Sequence, residues 1–170
     1  MREKKVRGMK RKTNQMIRRI EARTLTFPEE CHHGYWHLPL PVAQDFIGSH
    51  NTPQKIKRLC IQTLLDRAKH LIELKPKDGD RYRVVVAVDL PGLWWSQIIV
   101  FKGDSYFKNF FNRNNEYQKW IPLSDHRNLQ TEWSLSIPQG WETTGFKQII
   151  MEEDGFQEEN EWWFIGELKE

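Results

Sequence analysis

The chain of 170 residues has little cysteine and no long apolar segment. Its two cysteines, Cys31 and Cys60, are too few for the disulfide framework of a small secreted domain. No apolar run approaches the ~20 residues that a transmembrane helix needs. The basic N-terminal segment is not followed by the apolar segment of a signal peptide. We therefore expect a cytoplasmic protein that has no membrane partner.

The sequence also lacks the usual motifs of catalysis. It contains no glycine-rich phosphate loop, no HExxH pair and no paired-carboxylate motif. Ser124, Asp125 and His126 are adjacent in sequence, whereas the members of a catalytic triad come from distant segments. The sequence accordingly predicts no catalytic residue and no cofactor, and it favours a protein that is not an enzyme.

The segment CHHGYWHLPLP, residues 31–41, is the place to look for a metal or catalytic site. A zinc site needs four ligands, usually at short spacings. The segment predicts a short edge strand, which would hold His33 and His37 about 13 Å apart at ~3.3 Å per residue. That separation is too large for one ion, so we predict no metal site. A metal-dependent or hydrolytic enzyme, in which Cys31, His33 and His37 converge near Asp89, is the third functional alternative.

Two helices are expected from the apolar pattern. One runs from about Met9 to Arg23, and a longer one begins near Thr52 and Pro53, which are good helix-starting residues. The apolar stripe of the long helix comprises Ile56, Leu59, Cys60, Leu64, Ala68, Leu71 and Ile72.

The remaining apolar segments predict strands. RYRVVVAVDLPGLWWSQIIVF is typical of a central hairpin covered on both faces, and YQKWIPL, TEWSLSIP, FKQIIMEE and EWWFIGEL indicate further strands. The predicted fold is α+β, with a largely antiparallel sheet of about five to seven strands and helices packed on it. We divide the chain into a basic N-terminal helical arm, residues 1–24, and a single α+β domain, residues 25–170.

Charge is distributed unevenly along the chain. Residues 1–24 hold ten Lys and Arg against two carboxylates, a net charge of +8, and residues 151–170 carry −7. A basic helix can neutralise several phosphates, so nucleic-acid binding is the second functional hypothesis. Its candidate residues are Lys10, Arg11, Lys12, Arg18, Arg19 and Arg23. Two other interpretations are a solvated helix that docks on the sheet through Met16, Ile17 and Ile20, and a helix that neutralises the acidic C-terminal segment.

Tryptophan is abundant, and four of the eight tryptophans form the adjacent pairs Trp94-Trp95 and Trp162-Trp163. Neighbouring residues of a strand point to opposite faces, so each pair places one indole on either side of the sheet. Exposed aromatic patches often mark protein interfaces. The leading hypothesis is therefore a non-catalytic protein of the immunity or inhibitor type. It would cover a basic protein partner with Trp36, Trp94, Trp95, Trp162 and Trp163, beside the acidic segment.

GYWHLPLP, together with VVVAVDLPGLWWSQIIVFKGDSYFKNFFNR, resembles a family of small bacterial cytoplasmic proteins known only as a domain of unknown function. The resemblance covers most of the chain beyond the basic arm. It implies a bacterial, cytoplasmic protein with a single domain. It supplies no catalytic residue, ligand or partner.

Overall fold

A computed structural model gives the fold and describes residues 3–22, 35–38, 53–74, 81–89, 97–103, 108, 118–123 and 128–167. The helices with described bounds are α1 (Glu3–Ala22), α2 (Gln54–Glu73) and the short α3 (Leu129–Glu132). The strands are β1 (Tyr35–Leu38), β2 (Tyr82–Asp89), β3 (Gln97–Lys102), β4 (Gln118–Pro122), β5 (Glu142–Glu152) and β6 (Gly155–Glu167). The predicted α+β class is confirmed. No helix in the described ranges is long and apolar enough to cross a membrane.

The strands form one six-stranded sheet in the order β1-β3-β2-β6-β5-β4. Every neighbouring pair runs antiparallel, as predicted. β1 lies at one edge, the position that its flanking prolines favour, because proline cannot donate to a ladder of hydrogen bonds. β2 and β6 lie side by side in the middle of the sheet, and β5 turns into β6 through Glu153 and Asp154 alone.

The central strands are buried on both faces, as their apolar sequences predict. Val84, Val86 and Val88 of β2 belong to the cluster that also contains residues of α1 and α2. The opposite face carries a second cluster, formed by Val85, Ala87, Ile99, Phe101, Phe146, Trp163 and Ile165. Because side chains alternate along a strand, β2, β3 and β6 each supply both clusters.

α2 begins directly after Pro53, whose carbonyl oxygen accepts hydrogen bonds from the backbone N–H groups of Ile56 and Lys57 at 2.9 and 3.3 Å. The helix packs on β2 and β3. Its predicted apolar stripe is wrong at Leu59, which is 44% exposed. Leu59 and the fully buried Ala68 are nine residues apart, and at 3.6 residues per turn they lie on opposite sides of the helix.

α1 begins at Glu3, earlier than the predicted start near Met9. Met16 and Ile20 are buried in the core cluster, and Ile17 is half-buried. α1 packs on α2, and its buried residues belong to the same cluster as the valines of β2. The domain boundary predicted after residue 24 lies outside the described residues.

The strand predicted for TEWSLSIP, residues 131–138, is wrong. Its first residues belong to α3, and the remainder forms no strand. The side-chain oxygen of Asn128 accepts a hydrogen bond from the N–H of Thr131 at 3.1 Å, which favours the start of a helical turn. Ser134 has a φ of 51°, which is incompatible with an extended strand. Trp133 and Leu135 are still buried, so the apolar residues that suggested a strand pack from a loop.

Two indole rings lie directly on glycines of the long β5–β6 hairpin. A Cβ atom at Gly145 would come within 2.7 Å of the Trp162 ring, which lies on the paired residue of β6. A Cβ atom at Gly166 would collide with the Trp141 ring. Since only glycine permits such an approach, these two residues fix where the rings lie on the sheet.

Candidate nucleic-acid interface

α1 presents five exposed cations, which are Lys10, Arg11, Lys12, Arg18 and Arg19. The sixth candidate, Arg23, lies outside the described residues. The five side chains come from one helix of 20 residues, and they share it with exposed Asn14 and Gln15. A single rigid element therefore carries the described part of the basic segment.

The buried stripe of α1 sets the direction of these cations. Thr13, Met16 and Ile20 are 3%, 5% and 0% exposed and follow one side of the helix. At 3.6 residues per turn, Arg11 and Arg18 fall on the side opposite this stripe. Lys10 projects from one flank, and Lys12 and Arg19 project from the other. Because the stripe is part of the core, the basic face is held outward.

An open recess of about 440 Å³ runs along this face. Its described lining consists of Lys10, Arg11, Asn14, Gln15 and Arg18. These residues contribute three positive charges and two amide groups, and no carboxylate. Cations and amides are the side chains that donate hydrogen bonds to phosphate and base oxygens.

The cations of α1 are not neutralised within the described part of the chain. No carboxylate among the described residues forms an ion pair with Lys10, Arg11, Lys12, Arg18 or Arg19. Elsewhere, Lys147 pairs with Glu158 across the β5–β6 hairpin at 2.9 Å. The interpretation that α1 neutralises the acidic segment therefore gains no support from the described side chains.

The tryptophans assigned to a protein-binding surface are in part core residues. Trp162 and Trp163 are only 4% and 0% exposed, one in each core cluster. They lie on opposite faces of β6, as predicted, but neither offers an exposed indole. Their burial removes both from the proposed surface. The side chain of Trp36, in β1, and the whole of Trp94 and Trp95 lie outside the described residues.

The described residues do not assemble the thiol and imidazole groups into a site. Cys60 is buried, and desolvation raises the pKa of its thiol to about 12, so it stays protonated at neutral pH and is a poor nucleophile. Cys31 and His33 lie outside the described residues. No group of three potential metal ligands occurs among the residues that are described.

The sheet register also separates His37 from Asp89. His37 pairs with Ile99, and Ile99 pairs with Val85, so these three residues lie in one row across β1, β3 and β2. Asp89 is four residues further along β2. At ~3.3 Å per residue and ~4.8 Å per strand, the backbones of His37 and Asp89 are about 16 Å apart. The hypothesis of a metal-dependent or hydrolytic enzyme requires His37 and Asp89 to lie close together, and this separation does not allow it.

A second recess, of about 610 Å³, lies between the end of α2 and the loop before β5. Lys69 and Glu73 line it together with half-buried Trp141. Because Lys69 and Glu73 carry opposite charges, this recess is neither clearly positive nor clearly negative. Nothing in the local sequence pattern of Trp141 distinguishes it from the other tryptophans, so its place in this recess is evident only from the fold.

Asn14 and Gln15 were not among the predicted site residues. Both are uncharged, so the distribution of cations along the chain does not indicate them. The signal that identifies them is their spacing: with Arg11 and Arg18 they occupy positions i, i+3, i+4 and i+7 of α1, which share one helix face.

One protein family, described as Protein of unknown function (DUF3916), matches residues 17–167. The chain belongs to this family. The matched region of the DUF3916 protein includes α2, the whole described sheet and the C-terminal end of α1, whereas Lys10, Arg11 and Lys12 precede it. No curated protein and no solved structure matches the chain. Membership confirms the resemblance to an uncharacterised family and assigns no ligand, partner or reaction.

Proposed function

We propose that this DUF3916 protein binds nucleic acid through the exposed basic face of α1. The observation that supports the proposal is a helix with five exposed cations on one side and a stripe buried in the core on the other. A docked helix presents its charges without the entropic cost of ordering a disordered tail.

The energetic basis is release of counterions from phosphates. For a DNA duplex, each neutralised phosphate makes log K fall by ~0.9 per unit of log salt concentration. One phosphate contact for each of the five exposed cations would give a slope of about −4.5. This contribution does not depend on base sequence, and it supports binding to any duplex at low salt.

Binding of a basic protein partner stays a prediction. Its main support was exposed indoles, and Trp162 and Trp163 are buried. The exposed face of α1 is itself strongly positive, and like charges slow the encounter with a basic partner. Nucleic acid is the partner whose charge complements this face.

We propose the bacterial cytoplasm as the location of the protein. Cys60 is a free thiol, which suits a reducing compartment. The resemblance to small bacterial proteins supports the bacterial source. In this compartment DNA and RNA are both accessible to α1.

The proposal is tested by titrating a labelled DNA duplex and a labelled single strand with the full chain at several salt concentrations. The triple variant Arg11→Gln, Arg18→Gln, Arg19→Gln removes three cations and keeps good helix formers. We expect its salt slope on the duplex to be shallower by about 2.7, which is ~0.9 per cation.

A matched control removes the same charge from another exposed helix surface. Lys55→Gln, Arg58→Gln and Lys69→Gln alter exposed cations of α2. This control should bind with nearly the salt slope of the unchanged protein, and thermal unfolding should show that both triple variants are folded. Equal losses in the two variants, or no salt-dependent binding by the unchanged protein, would contradict the proposal.

A further inference from the structure

The centre of the exposed face of α1 carries side chains that differ in kind from those at its flanks. Arg11, Asn14, Gln15 and Arg18 occupy the centre, and all four are exposed. Guanidinium and amide groups are planar and can form two parallel hydrogen bonds with one partner. Such bidentate contacts identify a base, because Arg matches the edge of guanine, and Asn or Gln matches the edge of adenine.

The flanks carry the cations that suit phosphates. Lys10 lies roughly a quarter turn to one side of the centre, and Lys12 and Arg19 lie roughly a quarter turn to the other. The two walls of a DNA groove are two phosphate backbones, one on each side of the base edges. Across α1, a cation that can bind phosphate therefore lies on each side of the groups that can contact bases. The groups of a DNA groove follow the same order, with a phosphate backbone on each side of the base edges.

We propose that α1 enters the major groove of duplex DNA and reads its sequence. Arg11, Asn14, Gln15 and Arg18 contact base edges, while the flanking cations hold the two backbones. This inference rests on the proposed nucleic-acid binding and specifies its substrate. An α-helix is ~10–12 Å wide with its side chains, and the major groove of B-form DNA is ~12 Å wide. The major groove of an RNA duplex is too deep and narrow for the same contact.

The length of the reading face predicts the size of the site. Arg11 and Arg18 are seven residues apart, which is about 10.5 Å along the axis at 1.5 Å per residue. Base pairs follow each other every ~3.4 Å, so the four side chains span about three base-pair steps. We expect a recognition element of about four base pairs that contains guanine and adenine.

The buried stripe provides the rigidity that such reading needs. Thr13, Met16 and Ile20 hold α1 on the core from the side opposite Arg11 and Arg18. The backbone positions of the four central residues therefore move with the domain, and the spacing of these positions is fixed when they meet the groove. Preorganised donors lose less entropy on binding than donors on a mobile tail.

The experiment is selection of bound duplexes from a randomised DNA pool by the full chain, followed by sequencing. The double variant Asn14→Ala, Gln15→Ala should lose preference at the adenine positions, a reduction of about 5- to 150-fold in discrimination, with an unchanged salt slope. The double variant Lys12→Ala, Arg19→Ala should select the same sequence with a slope shallower by about 1.8. Alanine favours helix, so both variants preserve α1.

Competition with an RNA duplex completes the test. Enrichment of a short motif, its loss in the amide variant only, and weak competition by RNA support the inference. Salt-dependent binding with no enriched motif, or equal binding of RNA duplex, overturns sequence reading in the major groove but leaves the proposed nucleic-acid binding intact. Failure of the unchanged protein to retain any nucleic acid at low salt overturns both.

Discussion

α1 lies in the basic segment of the chain and β6 lies in the acidic segment, and the two elements use their charges differently. Residues 1–24 carry +8 and residues 151–170 carry −7. In the hairpin, Lys147 and Glu158 pair across the strands at 2.9 Å. In α1, the described cations have no carboxylate partner among the described residues. The net charge of +3 therefore conceals a basic helix whose charge is available to a partner.

The two regions also contribute differently to the core. β6 lies between β2 and β5, and it supplies Trp162 and Phe164 to one core cluster and Trp163 to the other. Among its described side chains, α1 supplies Met16 and Ile20 to the core cluster. The hairpin is thus a central part of the folded structure, whereas α1 is an outer layer with one face buried. We infer that stability depends mainly on the hairpin and that the proposed recognition depends on α1.

The largest difference in stability between the two regions is expected when Trp163→Ala in β6 is compared with a substitution in α1. Trp163 is fully buried, with ring centroids 6.0 Å from Phe101 and 5.9 Å from Phe146. Removing a buried indole should lower the free energy of unfolding by about 3–5 kcal/mol, measured by urea denaturation. Arg18→Ala, on the exposed face of α1, is the control and should change it by less than about 0.5 kcal/mol. A loss below about 1 kcal/mol for Trp163→Ala would contradict a central role for β6.

Smaller changes in stability are expected when glycine is replaced by alanine, and they should have opposite signs in the β5–β6 hairpin and in α1. In Gly145→Ala the new Cβ would meet the buried Trp162 ring at 2.7 Å, and this crowding should destabilise the protein by about 1–3 kcal/mol. In Gly8→Ala the new Cβ meets nothing within 4 Å in the interior of α1, so the protein should gain about 0.5–1 kcal/mol. Urea denaturation measures both changes. An unchanged stability for Gly8→Ala would mean that the first turns of α1 unfold independently of the core.

The smallest effect is expected at the ion pair of the hairpin. Lys147 and Glu158 are 36% and 43% exposed, so solvent screens their attraction. A double-mutant cycle with Lys147→Met and Glu158→Gln should give a coupling of about 0.2–1 kcal/mol. The coupling should fall further in ~1 M salt, where the Debye length is ~3 Å. A coupling that salt leaves unchanged would show that the pair is not primarily electrostatic.

Most strands could be predicted from the sequence because alternation and apolar runs carry a strong local signal. β2, β4, β5 and β6 follow from such runs, and the prolines around β1 place it at an edge. The segment of residues 131–138 could not be predicted in this way, because a capping side chain at Asn128 and the left-handed backbone of Ser134 override its strand-like composition. Leu59 shows a similar limit, since its exposure depends on which side of α2 meets the sheet.

The candidate site was predicted only in part. The cations of α1 are evident from composition, and the helical period predicts that Met16 and Ile20 share one face. The sequence does not reveal that α1 packs on α2, because that contact depends on tertiary structure. The burial of Trp162 and Trp163 does not follow from alternation alone, which only places them on opposite faces. The apolar β2–β3 segment indicated that both faces of the sheet are covered, and this coverage is what buries the two indoles.

The order of strands has a consequence for synthesis of the chain. β2 lies between β3 and β6, yet β6 starts only at Gly155, long after β2 ends at Asp89. A ribosome adds ~5–20 residues per second, so roughly 3–13 s pass between completion of β2 and the first residue of its second neighbour. Until then the valines of β2 lack the strand that pairs with them on one side. The middle of the sheet is thus completed by β6, the last strand in the described part of the chain, and assembly of the core waits for it.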